Sequence, residues 1–207
     1  MNDSQPELIA LPAPCPKRGM SLAEAIDRRR SVRRFGTQPI TQSQLSRVLW
    51  AIQGTSSTTG RYRTIPSAGA TYPLEIYIAC GHNSTGGMDD GIYHYQSENH
   101  VLLRHYAEDV RAELSRAALN QEYINQAPVD IVICARYERT TRHYGERGKM
   151  YVHIEVGHAG QNIYLQAAAL GLATVAIGAF NDEQIREVLR LDGQTKPLYI
   201  MPLGWPG

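Results

Sequence analysis

The sequence predicts an α+β fold in one domain, on three observations. Segments with helical and with strand-like periodicity are interspersed along the chain, without the regular βαβ alternation of a parallel sheet. Val129–Ala135 is a continuous apolar run of the kind found in strands covered on both faces. Tyr151 to Leu170 reads as one long helix rich in small residues, notably Gly157, Ala159, Gly160, Ala167, Ala168 and Ala169. Small side chains let another helix or a bound group approach closely, so this helix is a candidate for the centre of the fold or for a subunit interface.

The elements follow in order. Residues 1–20 hold Pro6, Pro12, Pro14 and Pro16 and are expected as an extended arm, which leaves 21–207 as the domain. Ser21 to Arg30 is helical, with Leu22, Ala25 and Ile26 on its apolar face. Thr41 to Ile52 is a second helix: Thr41 is a good N-cap, Gln44 stands at the capping-box position, and Leu45, Val48, Leu49 and Ile52 form the buried stripe. Gly54 ends it, and Ser56 to Tyr62 is a polar connection. Pro73 opens the strand Leu74–Cys80. A glycine-rich turn over Asn83 to Asp90 leads to the short strand Gly91–Tyr95, with His100–Leu103 as its hairpin partner. Ala107 to Leu119 reads as an amphipathic helix, Ala173–Ile177 as a strand, Asp182–Leu189 as a helix and Pro197–Leu203 as the final strand.

Composition narrows the function. With 21 basic and 20 acidic residues in 207, the net charge is +1, which argues against a nucleic-acid binder. Cys15, Cys80 and Cys134 form no CxxC pair and read as free thiols in a reducing compartment. The most apolar stretch, Ala167 to Phe180, is too short to cross a bilayer. The N-terminus lacks the basic start and apolar stretch of a secretory signal. These features give the expectation of a cytoplasmic protein acting without membrane or nucleic acid.

Against this balanced background, five arginines crowd the seven residues from Arg28 to Arg34. One reading is a solvated basic helix end, which the helix dipole favours. The other is an anion site, because guanidinium forks bind phosphate bidentately and Ser31 adds a short neutral donor. Pro66-Ser67-Ala68-Gly69-Ala70-Thr71-Tyr72-Pro73 is the second informative stretch: small residues between two prolines make a narrow loop able to lay backbone against a flat ligand. Neither GxGxxG after a strand, nor GxxxxGK[ST], nor GxSxG occurs, so Rossmann, P-loop and hydrolase-elbow sites are not indicated. His153, Glu155 and His158 share a helix, but the two histidines are about 140° apart around it and do not converge as metal ligands. Packing or hydrogen bonding is the expected role of this trio, and no metal site is expected.

Taken in order, Arg29-Arg30-Ser31-Val32-Arg33, the Pro66 to Tyr77 stretch and Gly91-Ile92-Tyr93-His94-Tyr95 resemble the nitroreductase superfamily. Within it the chain is similar to the SagB-type dehydrogenases, the branch that includes the azoline oxidases of thiazole and oxazole peptide maturation. Glu155-Val156-Gly157-His158 with Gln161-Asn162, Ala169-Leu170-Gly171-Leu172 and Ile177-Gly178-Ala179-Phe180 extend the match, which runs from about Leu22 to Gly204.

The resemblance implies a mixed, mainly antiparallel sheet flanked by helices, and an intertwined homodimer holding FMN at its interface. It places Arg29, Arg30, Ser31 and Arg33 on the phosphate, ribityl chain and pyrimidine edge. Pro66, Ser67, Ala68 and Gly69 of the other subunit would line the ring. Ile177, Gly178 and Ala179 would lie beside it, with a backbone N–H near N5, and Gln121 is carried to the same site. The implied chemistry is ping-pong hydride transfer, with NAD(P)H as donor and a flat small-molecule acceptor such as a nitroaromatic or quinone. Azoline dehydrogenation and flavin binding without turnover are the alternatives. The sequence departs from the pattern twice. Gly204-Trp205-Pro206-Gly207 offers no basic residue after the last strand, and His143-Tyr144 stands where azoline oxidases have a lysine–tyrosine pair. His143 and Tyr144 are the candidate catalytic residues on that match, as base and assisting hydroxyl.

Overall fold

The computed structural model describes residues 7–14, 19–55, 62–82 and 84–207. Seven strands form one sheet: β1 (Leu8–Ala10), β2 (Leu74–Cys80), β3 (Gly91–Gln96), β4 (Val101–Tyr106), β5 (Val129–Ala135), β6 (Ala173–Thr174) and β7 (Lys196–Gly204). Their order across the sheet is β1-β4-β3-β2-β5-β7-β6. Neighbouring strands are antiparallel throughout. Parallel pairing enters through single bridges, Ser31 with Thr174 and Ile40 with Thr85. The helices are α1 (Leu22–Arg28), α2 (Gln42–Gln53), α3 (Arg111–Ala117), α4 (Glu122–Gln126), α5 (Glu138–Tyr144), α6 (Arg147–Ala169) and α7 (Asp182–Val188).

The centre of the sheet is β2 against β5, paired from Leu74↔Ala135 to Cys80↔Val129. Every residue of β5 is buried, which explains its continuous apolar sequence. Ile76, Ile78, Ile131 and Ile133 pack under α2 and α6, against residues such as Leu49, Ile52, Val152 and Val156. The opposite face, with Tyr77, Val132 and Cys134, is covered by Leu114, Ile124 and Ile185 of α3, α4 and α7. Each fully buried aliphatic side chain in such a core stabilises by about 1.5–3 kcal/mol. Cys80 and Cys134 are buried free thiols; Cys15 lies outside the described residues.

Local sequence explains the helix limits. Ser21 caps α1, accepting from the Glu24 N–H. Thr41 and Gln44 form the complete reciprocal capping box on α2, and Gly54 ends that helix. The long helix is α6, which starts four residues earlier than its apolar pattern and packs beside α2.

Several expectations are corrected. The described part of the N-terminal arm is extended, and Leu8–Ala10 within it pairs antiparallel with β4 as the sheet's edge strand. The helix expected over Ala107 to Leu119 is confined to α3, since Leu119 and Asn120 both take left-handed backbone (φ 58° and 59°) and turn the chain into α4. Ala173–Ile177 forms ladder pairs only at Ala173 and Thr174, with Ile177 returning through a single bridge to Ile200. The arginine-rich stretch around His143 and Tyr144, which shows no helical apolar stripe in the sequence, is helix α5. Of the polar connection Ser56 to Tyr62, residues 56–61 lie outside the described residues, as does Asn83.

Candidate functional site

Three segments carry the sequence-predicted residues. The first follows α1. Arg29 is its C-cap, with extended backbone (φ −57°, ψ 132°), so the chain leaves the helix straight and the Val32 N–H bonds Thr174 O at 3.0 Å. Tyr164 of α6 ties this segment down: its Oη lies 2.8 Å from Ser31 Oγ and accepts the Ala176 N–H at 2.8 Å. The Arg29 guanidinium stands 5.5 Å from the Tyr164 ring centre. Arg30 turns back, with Nη1 donating to Asp27 O at 2.6 Å and Arg29 O at 2.8 Å. Arg28 pairs with Glu24 at 2.7 Å on the exposed face of α1, and Arg33 is exposed. Arg29, Arg30, Tyr164, Ala168, Thr174 and Pro206 help line a cleft of about 340 Å³ that contains no acidic side chain. Thr174 Oγ1 is buried in its wall without a hydrogen-bond partner. Cations, hydroxyls and no carboxylate make this cleft suited to an anion.

The second segment is the Pro66–Pro73 loop. Ala68–Ala70 form one 3-10 turn in which Gly69 takes left-handed backbone at φ 59°. Two non-glycine residues are left-handed as well, Ala70 at 53° and Tyr72 at 45°. Such conformations cost on the order of 1–3 kcal/mol each and persist where surrounding contacts impose them. Here the ties are visible. The Tyr72 N–H donates to Ser67 Oγ at 3.0 Å, and Thr71 Oγ1 donates to Ala68 O at 2.9 Å and lies 2.8 Å from Thr140 Oγ1 of α5. The same helix brings Tyr144 against the loop so closely that a Cβ on Gly69 would stand 2.7 Å from the Tyr144 Oη. His143 is exposed, its ring 4.8 Å from that of Tyr144 and edge-on to it.

The third segment is Ile177 to Ala179. Ile177 exchanges both backbone bonds with Ile200, at 2.9 and 3.0 Å. Gly178 and Ala179 are exposed, and among the described residues their N–H groups donate to no protein acceptor. Tyr199 wedges between Gly160 and Gly178, where added Cβ atoms would lie 3.4 and 3.6 Å from its ring. Gln121 spends its amide within the protein: Nε2 donates to Ala118 O and Ala179 O at 2.8 and 3.0 Å, and Oε1 accepts from Tyr123. It therefore positions the segment and leaves no free donor of its own.

Within one protomer the arginine cleft adjoins α6 at Tyr164, while the 66–73 loop adjoins it at Glu155. These residues are nine apart, about 13 Å along the helix axis. Sequence reasoning missed Tyr164 and Thr174, whose roles arise from contacts 133 and 143 residues from Ser31. The helix-sharing trio diverges: His153 bonds Tyr137 at 2.5 Å and His158 is exposed, while Glu155 points into the fold at 2% exposure. Among the described residues no group of three or more His, Cys, Asp or Glu could hold a metal ion.

The antiparallel sheet, the acid-free cationic cleft and the strained small-residue loop are thus held in one fold. The chain belongs to the nitroreductase family, whose family model matches residues 26–205. It is 47% identical over 185 residues to the "Putative nitroreductase MJ1384" of Methanocaldococcus jannaschii, covering 89% of this chain and 91% of that protein. It is 26% identical over 148 residues to the microcin B17-processing protein McbC of Escherichia coli, covering 69% of this chain and 54% of that protein. The crystal structure of a putative nitroreductase from Ralstonia eutropha JMP134 superposes with a TM-score of 0.85 at 28% identity, over 97% of this chain and 90% of that one. Members of the family are oxidoreductases that generally use FMN and NAD(P)H, and the fold is typically dimeric.

Proposed function

We propose that the protein is an FMN-dependent oxidoreductase, active as a homodimer in the cytoplasm, that moves reducing equivalents from NAD(P)H to a flat acceptor such as a nitroaromatic or quinone in ping-pong order. The observation that carries this reading is the acid-free cleft of Arg29 and Arg30 with the unpartnered buried hydroxyl of Thr174. A phosphate monoester fits that donor set, and an uncharged or cationic ligand does not.

When bound, FMN supplies the two-electron chemistry, so the chain need not provide a nucleophile or metal. Arg29 and Arg33 would neutralise the phosphate and hold the polar edge of the ring. Ser31 is oriented by Tyr164 and adds a hydroxyl donor. The free N–H groups of Gly178 and Ala179 would face the edge where negative charge develops, an electrostatic role that costs no reorganisation because Tyr199 and Gln121 already fix the segment. Pro66 to Gly69 of the partner would close over the ring and exclude water.

The dimer reading rests on α6. Met150 and Ile154 are 46% and 44% exposed, and Gly157 beside them has open space around its Cβ position. An apolar stripe ending in an exposed glycine is the surface that a second α6 would cover. Tyr144, held against the loop at Gly69, and the likeness to McbC favour azoline dehydrogenation as a second reading, with His143 in the place of the lysine base.

Purified protein is expected to be yellow, and NAD(P)H added without oxygen should bleach it. Colour that survives NADH and NADPH would point to a flavin-binding module or another reductant, and protein that neither carries nor takes up FMN would contradict the reading.

A further inference from the structure

Tyr72 closes the Pro66–Pro73 loop in left-handed backbone at φ 45°, and three side chains hold it there. Ser67 Oγ accepts its N–H at 3.0 Å. The Arg63 guanidinium lies 4.3 Å from its ring centre, and Arg139 Nη1 donates to its carbonyl at 2.9 Å. The serine bond is neutral, whereas a hydrogen bond from a guanidinium is charge-assisted and roughly twice as strong. Arg139 therefore supplies the stronger of the two hydrogen bonds that fix this residue.

Arg139 stands in the first turn of α5, and its side chain is 42% exposed. A long side chain at such a position loses rotamer freedom when it keeps one geometry, so it needs an anchor. Glu75 of β2 is that anchor. Its side chain is only 12% exposed, and its Oε1 accepts from Arg139 Nη2. Its Oε2 lies 2.6 Å from Nε2 of His94 on β3, and Arg136 Nε stands 3.8 Å from Oε1. Burial opposes the charge on Glu75, yet His94 and Arg139 outweigh it and hold the carboxyl below the ordinary range. Arg139 thus bridges carboxylate and carbonyl with two nitrogens of one planar fork, a geometry that lysine does not reproduce. Both arginines that hold Tyr72 line the same cleft of about 260 Å³ as Glu75 and His94.

We propose that Glu75 is a positioning residue for the 66–73 loop: it fixes the Arg139 fork, and the fork pins the Tyr72 carbonyl. Glu75 lies in the central strand β2, paired with Cys134 of β5, so the sheet sets its place and Arg139 passes that place on to the loop. That the loop then serves a ligand rests on the flavin reading, in which it covers the ring, and the test separates the two.

Hydrogen exchange of the Tyr72 amide is measured in the FMN-free protein. That N–H bonds Ser67 and none of the substituted groups, so its exchange reports opening of the turn itself. Glu75→Gln keeps the shape of the side chain and should speed exchange roughly tenfold, the effect of losing one charge-assisted bond. Arg139→Lys keeps the charge at a half-exposed position, should fold normally, and should speed exchange to a similar degree. The double variant should exchange no faster than either single one, because the two residues act in series. Glu138→Gln, which removes an exposed acid beside Arg139, should exchange as wild type does. Wild-type exchange in Glu75→Gln or in Arg139→Lys, additive effects in the double variant, or equal acceleration in Glu138→Gln would each overturn the proposal. FMN release from the loaded protein is then followed by the return of flavin fluorescence on dilution. Glu75→Gln should release FMN faster by a factor similar to that of its amide exchange, since the ring leaves through the same opening. Unchanged release beside faster exchange would overturn the link from Glu75 to the site. A wild-type protein that takes up no FMN would count against the flavin reading alone, because the amide exchange already judges the part played by Glu75.

Discussion

Replacing Arg29 with alanine is expected to weaken FMN binding by about 1.5–3 kcal/mol, roughly 10- to 150-fold in dissociation constant. The side chain is half-buried over Tyr164 and lines a cleft with no acid to compensate, so its loss leaves a phosphate facing neutral wall. Arg33→Ala should fall in the same range. Arg28 also lines the cleft, but its guanidinium is already paired with Glu24 at 2.7 Å, so Arg28→Ala should cost less than Arg29→Ala. Arg34→Ala should resemble Arg28→Ala. Quenching of FMN fluorescence on titration with the FMN-free protein measures all four. Equal losses would mean that the run works as a diffuse basic patch.

Gly157→Arg is expected to convert a dimer into a folded monomer that retains little FMN. Nothing lies within 4 Å of the Cβ position in the protomer, so the arginine meets no intramolecular clash. Within a helix it should even help, since glycine costs about 1 kcal/mol relative to good helix formers. The damage must then come from a second chain, where a charged side chain would stand in a seam beside Met150 and Ile154. Sedimentation, far-ultraviolet dichroism and flavin content should show half the mass, unchanged helicity and lost colour. A coloured dimer from this variant would place the interface elsewhere.

What the sequence made legible was whatever local chemistry dictated. The Thr41–Gln44 box, the buried run of β5 and the small-residue course of α6 all act through neighbours within a few residues. Helix α5 was hidden because Glu138-Arg139-Thr140-Thr141-Arg142-His143-Tyr144 has no apolar stripe; only Thr140 is buried, and the helix is held by the 66–73 loop. The end of β6 was overestimated because Val175 and Ile177 are buried by α-helical neighbours and not by a continued ladder. At the candidate site, the arginine run and the small-residue loop were visible as composition. Tyr164 and Thr174 were not, since each acts through a contact that the chain makes only after folding.

The central claim is that the arginine cleft of one protomer and the 66–69 loop of its partner make one flavin site. Mixed dimers test it most directly. One chain carries Arg29→Ala with Arg33→Ala, and the other carries Gly69→Val, whose Cβ would meet Tyr144 at a left-handed position. Each homodimer should be colourless. In the mixed dimer both lesions fall on one site and the other site is intact, so the account predicts recovery of one FMN per dimer. A mixed dimer as colourless as its parents would mean that each site is built within a single protomer, and would contradict the account.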